Sequence, residues 1–382
     1  MSKLIVEVCR VNAVEDHPNA ERLKIAQVKG WKTIILFNPE TGKSQFEVGD
    51  LCVYFPPDSV LPKALIDRLN VEKYLVPLPK LSDGTRPEGG RVKATRLRGM
   101  PSYGIIMEID PSKGDNADWK EGEDVSEFYG ITKWEPPQEC TDGDAETPNN
   151  YFFKYTSIEN YGNYPSAFQE GEEIILTEKI HGKNCRFGLV MEPNEEGVQE
   201  FTFMAGSHDV RRKPIDARGK ESEFWQFLTD NIKDLLTFIK DNHEWHEDKF
   251  SIMLYGEIYG SGVQDMTYGY ENKFRNFRAF DISVNNYYLD YDVKCKYLEQ
   301  FGVEMVPVLY TGPFSQKVLE QYTSGPTTLC KKEDIRTKFK GREGVVITPM
   351  KEEFYNPIVN GRKILKSISP DYLDRKNGTD FH

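Results

Sequence analysis

Alternation of apolar and polar residues dominates the first third of the chain. Leu23-Lys24-Ile25-Ala26-Gln27-Val28 has a period near two, Lys29-Gly30 interrupts it, and Trp31–Phe37 resumes it, which predicts a hairpin. Residues 3–11, Val48–Phe55, Arg91–Gly99 and Ser102–Met107 read as further strands, with Pro56-Pro57 ending one of them. Pro62–Leu69 reads as a short helix. Short strands, tight breaks and one small helix predict a compact β-barrel.

The pattern changes after an acidic, proline-bearing stretch, residues 135–150, that reads as a linker. Beyond it, Glu173–Leu176, Cys185–Val190, Phe201–Ser207, Ser251–Gly260, Phe277–Val284, Glu343–Ile347 and Arg362–Lys366 read as strands. Glu221–His243 reads as one helix, with Phe224, Phe227, Leu228, Ile232, Leu235, Leu236 and Ile239 on its apolar face. Asp292–Phe301 reads as another. The expected organisation is a barrel over residues 1–134, the linker over 135–150 and an α+β domain built on antiparallel sheet over 151–382.

Composition narrows the class. No run of about 18 apolar residues exists, so no membrane span is expected. The N-terminal run Met1–Val8 reads as a strand rather than the apolar core of a leader. Six cysteines without a Cys-x-x-Cys pair suit buried thiols in a reducing, cytoplasmic compartment. The net charge of −12 argues against a global positive field for nucleic acid. Local basic grooves stay open, because screening confines each charge to about 8 Å. Candidate clusters are Arg91, Lys93, Arg96 and Arg98; Arg211, Arg212, Lys213, Arg218 and Lys220; and Lys331, Lys332, Arg336, Lys338, Lys340 and Arg342. Each is either a solvated face or part of a polyanion track.

The candidate chemistry centres on Thr177-Glu178-Lys179-Ile180-His181-Gly182-Lys183-Asn184. A lysine stands at a strand edge, just before a glycine where backbone can approach a ligand. A lysine nucleophile attacking a nucleotide phosphate must shed its proton, and nearby positive charge favours that. Carboxylates are needed for a metal and for ribose hydroxyls, and an aromatic ring for the base. Lys366 offers a second cation, Glu343 a metal-facing carboxylate, Glu257 a ribose contact and Phe280 either a stacking ring or a core residue. Glu257 stands alone among apolar neighbours, which is costly without a partner. Arg211 or Arg212 could grip a further phosphate.

Two resemblances sharpen this. His17-Pro18-Asn19-Ala20-Glu21-Arg22-Leu23-Lys24-Ile25-Ala26-Gln27-Val28 is similar to the tRNA-binding OB domains of some aminoacyl-tRNA synthetases and their accessory proteins. That implies an OB-fold barrel facing nucleic acid. The Lys179–Gly182 stretch, the Tyr255–Gly260 strand, Phe280-Asp281-Ile282, Glu343–Ile347 and the final lysine strand resemble motifs I, III, IIIa, IV and V of the covalent nucleotidyltransferases. Histidine at 181 with Asn184 resembles the phage-type RNA ligase 2 group, where DNA ligases and capping enzymes usually have aspartate. An OB module ahead of the catalytic domain resembles RNA ligase family 5.

The resemblance implies an ATP-dependent RNA ligase that uses Mg2+ or Mn2+, acts as a monomer, and seals nicked RNA or RNA–DNA duplexes with RNA on the 3′-OH side. Lys179 would carry AMP, Glu257 would contact ribose, Phe280 would stack on adenine, Glu343 would be linked to the metal, and Lys366 would contact phosphate. Glu178, His181, Gly182, Asn184 and Val345 would line the nucleotide or the nick phosphate. Three positions depart from the pattern. The last motif has Lys363 and Lys366 instead of Lys-x-Lys, which leaves Lys366 as the acting residue and points Lys363 elsewhere. Lys183 stands where the phage-type enzymes tend to have threonine. Gly206-Ser207-His208-Asp209 stands where a Ser-Arg pair is expected, hence Arg211 or Arg212 as substitutes. The rival readings are an mRNA guanylyltransferase and a non-catalytic RNA- or tRNA-binding protein.

Overall fold

The computed structural model describes residues 4–80, 85–134, 143–194, 196–243, 250–270, 274–330 and 341–375. These residues form two units. The first takes residues up to Trp134 together with Ile158–Ser166 and the stretch from Ile368; the second takes 143–157 and Ala167–Ser367. The chain therefore returns twice to its first unit after leaving it. No helix among the described residues is long and apolar enough to cross a membrane.

The first unit is built on a six-stranded antiparallel sheet. Its order is Ile105–Glu108, Leu51–Phe55, Glu7–Asp16, Leu23–Val28, Trp31–Asn38, Lys43–Ser44. The hairpin expected from the Lys29-Gly30 break is present, with Val28 opposite Trp31. Leu51–Phe55 is buried on both faces and separates two cores: Val53 and Phe55 pack with Leu61, Leu65 and Trp119, while Cys52 and Tyr54 pack with Val11, Trp31 and Phe46. The short helix spans Lys63–Leu69 and ends at Asn70, which is left-handed with φ 53°.

Two expected strands are each divided. Gly90–Arg91 pairs with Ser59–Leu61, whereas Thr95–Leu97 pairs with Met100–Ser102. Ile105–Glu108 then pairs with Leu51–Phe55, after Gly104 turns the chain at φ 75°. One straight strand cannot ladder with both partners. The basic residues of this region separate accordingly. Arg91 binds Asp58 at 2.6 Å and stacks 3.8 Å from the Trp134 ring, and Arg96 binds Asp371 at 2.7 Å and also Asp374. Lys93 and Arg98 remain exposed.

The His17-Pro18-Asn19 turn braces this same region. The His17 ring is buried, and its Nδ1 accepts from the Asn19 N–H at 3.1 Å. Its Nε2 must therefore carry the proton, which it donates to the Leu97 carbonyl at 3.0 Å. Asn19 Nδ2 donates to the Arg98 carbonyl at 3.0 Å.

The second unit holds two antiparallel sheets. One has six strands in the order Arg211–Arg212, Gln199–Ser207, Lys183–Pro193, Ser251–Gly260, Arg275–Val284, Tyr287–Tyr288. The other places Leu365–Ile368, Gly344–Pro349, Glu173–Lys179 and Val308–Pro313 side by side. One face of the larger sheet carries Cys185, Phe187, Ile252, Leu254 and Ile282, and packs against Ile232, Leu235, Leu236 and Ile239 of helix Asp230–Asp241. The other face carries Asn184, Arg186, Tyr255 and Glu257, opposite one another in the ladder.

The single helix expected over Glu221–His243 is two, Glu223–Gln226 and Asp230–Asp241. Thr229 takes an extended conformation at the N-cap, and Asp230 opens the new helix with a charge suited to its dipole. Of the stretch read as linker, 135–142 lies outside the described residues. Residues 143–150 are no free tether. Ala145 bridges to Arg212, Glu146 N–H donates to the Arg211 carbonyl at 2.9 Å, and Asp144 ion-pairs with Arg212.

Candidate active site

Lys179 is the last residue of its strand, opposite Gly344. Strand pairing thus sets the candidate nucleophile beside the start of the Gly344–Pro349 strand, and Glu343 immediately precedes that start. The Lys179 ammonium lies 2.7 Å from Glu343 Oε1, and the Glu343 side chain is 1% exposed. His181 follows in the turn, with Nδ1 3.8 Å from Glu343 Oε2 and Nε2 2.8 Å from Asp265 Oδ1. The His181 N–H donates to Tyr268 Oη at 2.6 Å.

Glu257 reaches the same place from the larger sheet. Its carboxylate accepts from the Gly182 N–H and lies near Lys179 and Glu343. The residue keeps a little exposed surface, but its carboxyl is closely ringed by protein. Burial pushes that carboxyl up to about 8; Lys179 opposes the rise and Glu343 adds to it. Burial thus favours the neutral acid, which can donate as well as accept. Asn184 stands opposite Glu257 in the ladder, and its Oδ1 is buried with no hydrogen-bond donor among the described residues.

The structure thus gathers Lys179, His181, Gly182, Asn184, Glu257 and Glu343, half of the set singled out in the sequence. Val345 is fully buried opposite Glu178. Lys366 is 1% exposed on the strand Leu365–Ile368, next to Gly344–Pro349. Lys363 turns away, to Glu172 at 2.7 Å and Glu353 at 3.3 Å. Phe280 is the extra residue of a bulge, where Tyr255 faces Asp281 and Gly256 faces Ala279. Its ring packs 4.7 Å from Tyr155, and the residue stays partly exposed.

Several expectations need correction. The Glu178 carboxylate is not offered to a ligand: it accepts from Thr328 N–H at 2.9 Å, from Thr328 Oγ1 at 2.6 Å and from Thr327 Oγ1. Arg211 is held bidentate by Glu192 at 2.9 Å, and Arg212 by Asp144. Their charges are matched inside the fold, which leaves neither as a ready phosphate grip. Gly182 is small for its own neighbour's sake, since a Cβ there would meet the Ile258 carbonyl oxygen at 2.2 Å. Lys183 projects to the opposite face from Glu257 and binds Glu223 at 3.0 Å. Of the third basic cluster, only Arg342 lies within the described residues. It is buried and donates to the carbonyls of Tyr322 and Pro326 at 3.2 and 3.0 Å.

Three kinds of residue escaped sequence reasoning. Asp265, Gln264 and Tyr268 come from the loop Ser261–Tyr270 that clamps the His181-Gly182 turn. The only signal was a polar, glycine-bearing stretch directly after the Glu257 strand. Thr327 and Thr328 hold Glu178 from about 150 residues away. Arg186, buried on the Glu257 face, donates to the carbonyls of Ser207 and Phe152, and burial pulls its guanidinium down to about 10.

Comparison with known proteins bears on the fold and the family. A family model for an OB-fold domain matches residues 5–109. A search of curated proteins gives no match. Solved structures of Naegleria gruberi RNA ligase share the fold. A variant with ATP and Mn is 23% identical, with TM-score 0.69, covering 97% of this chain and 100% of that one. A variant with AMP and Mn is 23% identical, with TM-score 0.71, covering 98% and 100%. The form with PPi is 23% identical, with TM-score 0.69, covering 98% and 99%. The family model for RNA ligase matches residues 172–368, more than half of the chain and the whole of the site just described, so this protein belongs to the RNA ligase family.

Proposed function

We propose that the chain is an ATP-dependent ligase that seals 3′-OH/5′-phosphate nicks in RNA-containing duplexes through a lysyl-AMP intermediate on Lys179. The observation that carries this reading is the convergence of Lys179, Glu343, His181 and Glu257 at one strand end. The Naegleria structures support the nucleotide, since they hold ATP, AMP or PPi.

Lys179 Nζ would attack the α-phosphorus of ATP. The ammonium first gives one proton to water; the N–P bond then forms and the bond to pyrophosphate breaks. The nearby Glu343 carboxylate stabilises the ammonium by Coulomb attraction. Attack therefore requires that pair to loosen. Mg2+ or Mn2+ suits this oxygen-rich setting. Among the described residues no group of three His, Cys, Asp or Glu side chains is placed to hold one metal ion, so the protein would give one or two donors, Glu343 first, and nucleotide phosphates and water the rest. A bound divalent ion would neutralise charge on the carboxylate and the phosphates. Glu257, as a neutral acid beside the unpartnered Asn184 Oδ1, suits a ribose hydroxyl, which needs one donor and one acceptor. Phe280 is our candidate for the adenine stack and Lys366 for the phosphate contact. AMP would then pass to the 5′-phosphate of a nick, and the 3′-OH would expel it. The first unit would hold the duplex.

Incubation with α-labelled ATP or GTP, followed by nick sealing with RNA or DNA on either side, tests the reading. Covalent label from ATP, lost in Lys179→Ala, and sealing that requires RNA on the 3′-OH side are expected. Label from GTP alone would replace the ligase reading with a guanylyltransferase one.

A further inference from the structure

One loop, Ser261–Tyr270, makes three separate contacts with the two residues that follow the candidate nucleophile by two and three positions. Gln264 Nε2 donates to the Gly182 carbonyl at 3.3 Å. Tyr268 Oη accepts the His181 N–H at 2.6 Å. Asp265 Oδ1 lies 2.8 Å from His181 Nε2. The loop is constrained where it does this. Tyr268 is 1% exposed and sits at φ 53°, a conformation that costs a residue of this kind about 1–3 kcal/mol unless its surroundings enforce it. Its ring packs edge-on to Tyr259 at 5.4 Å. The turn bearing His181 is thus fixed in backbone and in side chain from a single element.

The Asp265 contact has a chemical consequence. A carboxylate oxygen only accepts, so His181 Nε2 carries the hydrogen. In the neutral ring, Nδ1 then bears the lone pair, on the side of Glu343, 3.8 Å from Oε2. Two acceptors side by side suit one cation, and Lys179 Nζ is already 2.7 Å from the other oxygen of that carboxylate. In the opposite tautomer Nδ1–H would donate to Glu343 and compete with Lys179 for it.

We propose that Asp265 is a positioning residue, which fixes the His181 tautomer and thereby keeps Glu343 available to Lys179 and to cations that replace it. The proposal rests on the ligase reading for its effect on rate, but not for its effect on the imidazole. Asp265 acts through His181, whose Nε2 it holds at 2.8 Å.

The test uses the full-length protein with 15N-labelled histidine. His181→Ala assigns the His181 signals among the six histidines. The wild type should show protonated Nε2 and unprotonated Nδ1, and Asp265→Ala should drift toward a mixture. Lysyl-AMP formation in Asp265→Ala should fall about 10- to 100-fold, as for other partners that orient a functional histidine. Asp265→Asn, which keeps an accepting oxygen, should restore most of the rate and the tautomer. The double variant Asp265→Ala/His181→Ala should be no slower than His181→Ala alone. An unchanged tautomer in Asp265→Ala, or losses that multiply in the double variant, would overturn the proposal. A wild type that forms no lysyl-AMP would sink the ligase reading instead, while the nitrogen spectra would still decide the Asp265 assignment.

Discussion

Lys179 and Glu343, 164 residues apart in sequence, form a 2.7 Å ion pair with side chains 12% and 1% exposed. Breaking such a pair from one side leaves a buried charge, which costs about 3–5 kcal/mol. Lys179→Ala and Glu343→Ala should each abolish lysyl-AMP formation and each lower the urea midpoint. The double variant should lose much less stability than the sum of the two. Additive losses would mean that the pair is not coupled in solution.

Glu257 gives a pH signature. Burial holds its folded carboxyl at about 8, above the ordinary value of 4.5. Its stabilising contribution is fully present below about 4.5 and is lost as pH rises through about 8. Glu257→Gln mimics the neutral acid, so its fold should survive, and its Tm should gain on the wild type between pH 5 and about 8. Parallel Tm curves would show that the carboxyl is already ionised at neutral pH.

Asp281 has the opposite sign. Burial alone would raise its carboxyl, but Arg362 at 2.9 Å and Lys294 at 2.6 Å hold it at about 2. That stabilisation is present above the ordinary value of 3.8 and is lost as pH falls toward about 2. Tyr155 Oη donates to the same carboxylate at 2.5 Å, which links Asp281 to the ring that packs on Phe280. Asp281→Asn should destabilise by about 3–5 kcal/mol, since buried Lys294 loses its carboxylate and Arg362 keeps only Glu352. A change within 1 kcal/mol would place the network's weight on Arg362 and Glu352 instead.

Lys183 should prove dispensable for chemistry. It faces away from Glu257 and forms a part-exposed pair with Glu223, worth no more than about 1 kcal/mol. Lys183→Ala should form lysyl-AMP at the wild-type rate. A tenfold loss would give Lys183 a part in that step.

The parts of the site that the sequence made legible lie on strands with a broken pattern. Lys179 ends an apolar run, Glu257 interrupts one and Glu343 begins one, so each residue announced itself locally. The strand Ser251–Gly260 was read to its ends, because apolar continuity and glycine define it without help from elsewhere. Arg211 and Arg212 misled for the opposite reason. Their partners, Glu192 and Asp144, are brought to them by hairpin pairing and by a returning segment, neither of which leaves a periodic trace. Asp265, Thr327 and Thr328 were invisible for the same reason, since loop geometry is set by long-range hydrogen bonds.

The first unit offers a separable test of substrate binding. Deleting it whole would strip Ile158–Ser166 and the residues from Ile368 of the unit they belong to, so loss of sealing in a truncated protein would be ambiguous. Point changes avoid this. His17 and Asn19 hold the Leu97 and Arg98 carbonyls, and so present the exposed Arg98 side chain from a fixed turn. Arg91 and Arg96 are already paired with carboxylates, which makes Arg98 and Lys93 the open cations of that region. Arg98→Ala should weaken binding of nicked duplex and reduce the salt slope of the affinity by about 1. His17→Ala should weaken it too, by loosening the turn, with the Arg98 charge intact. Both should form lysyl-AMP as the wild type does, because every residue proposed for that step lies in the second unit. Unchanged duplex affinity in both variants would move the duplex-binding surface off this hairpin.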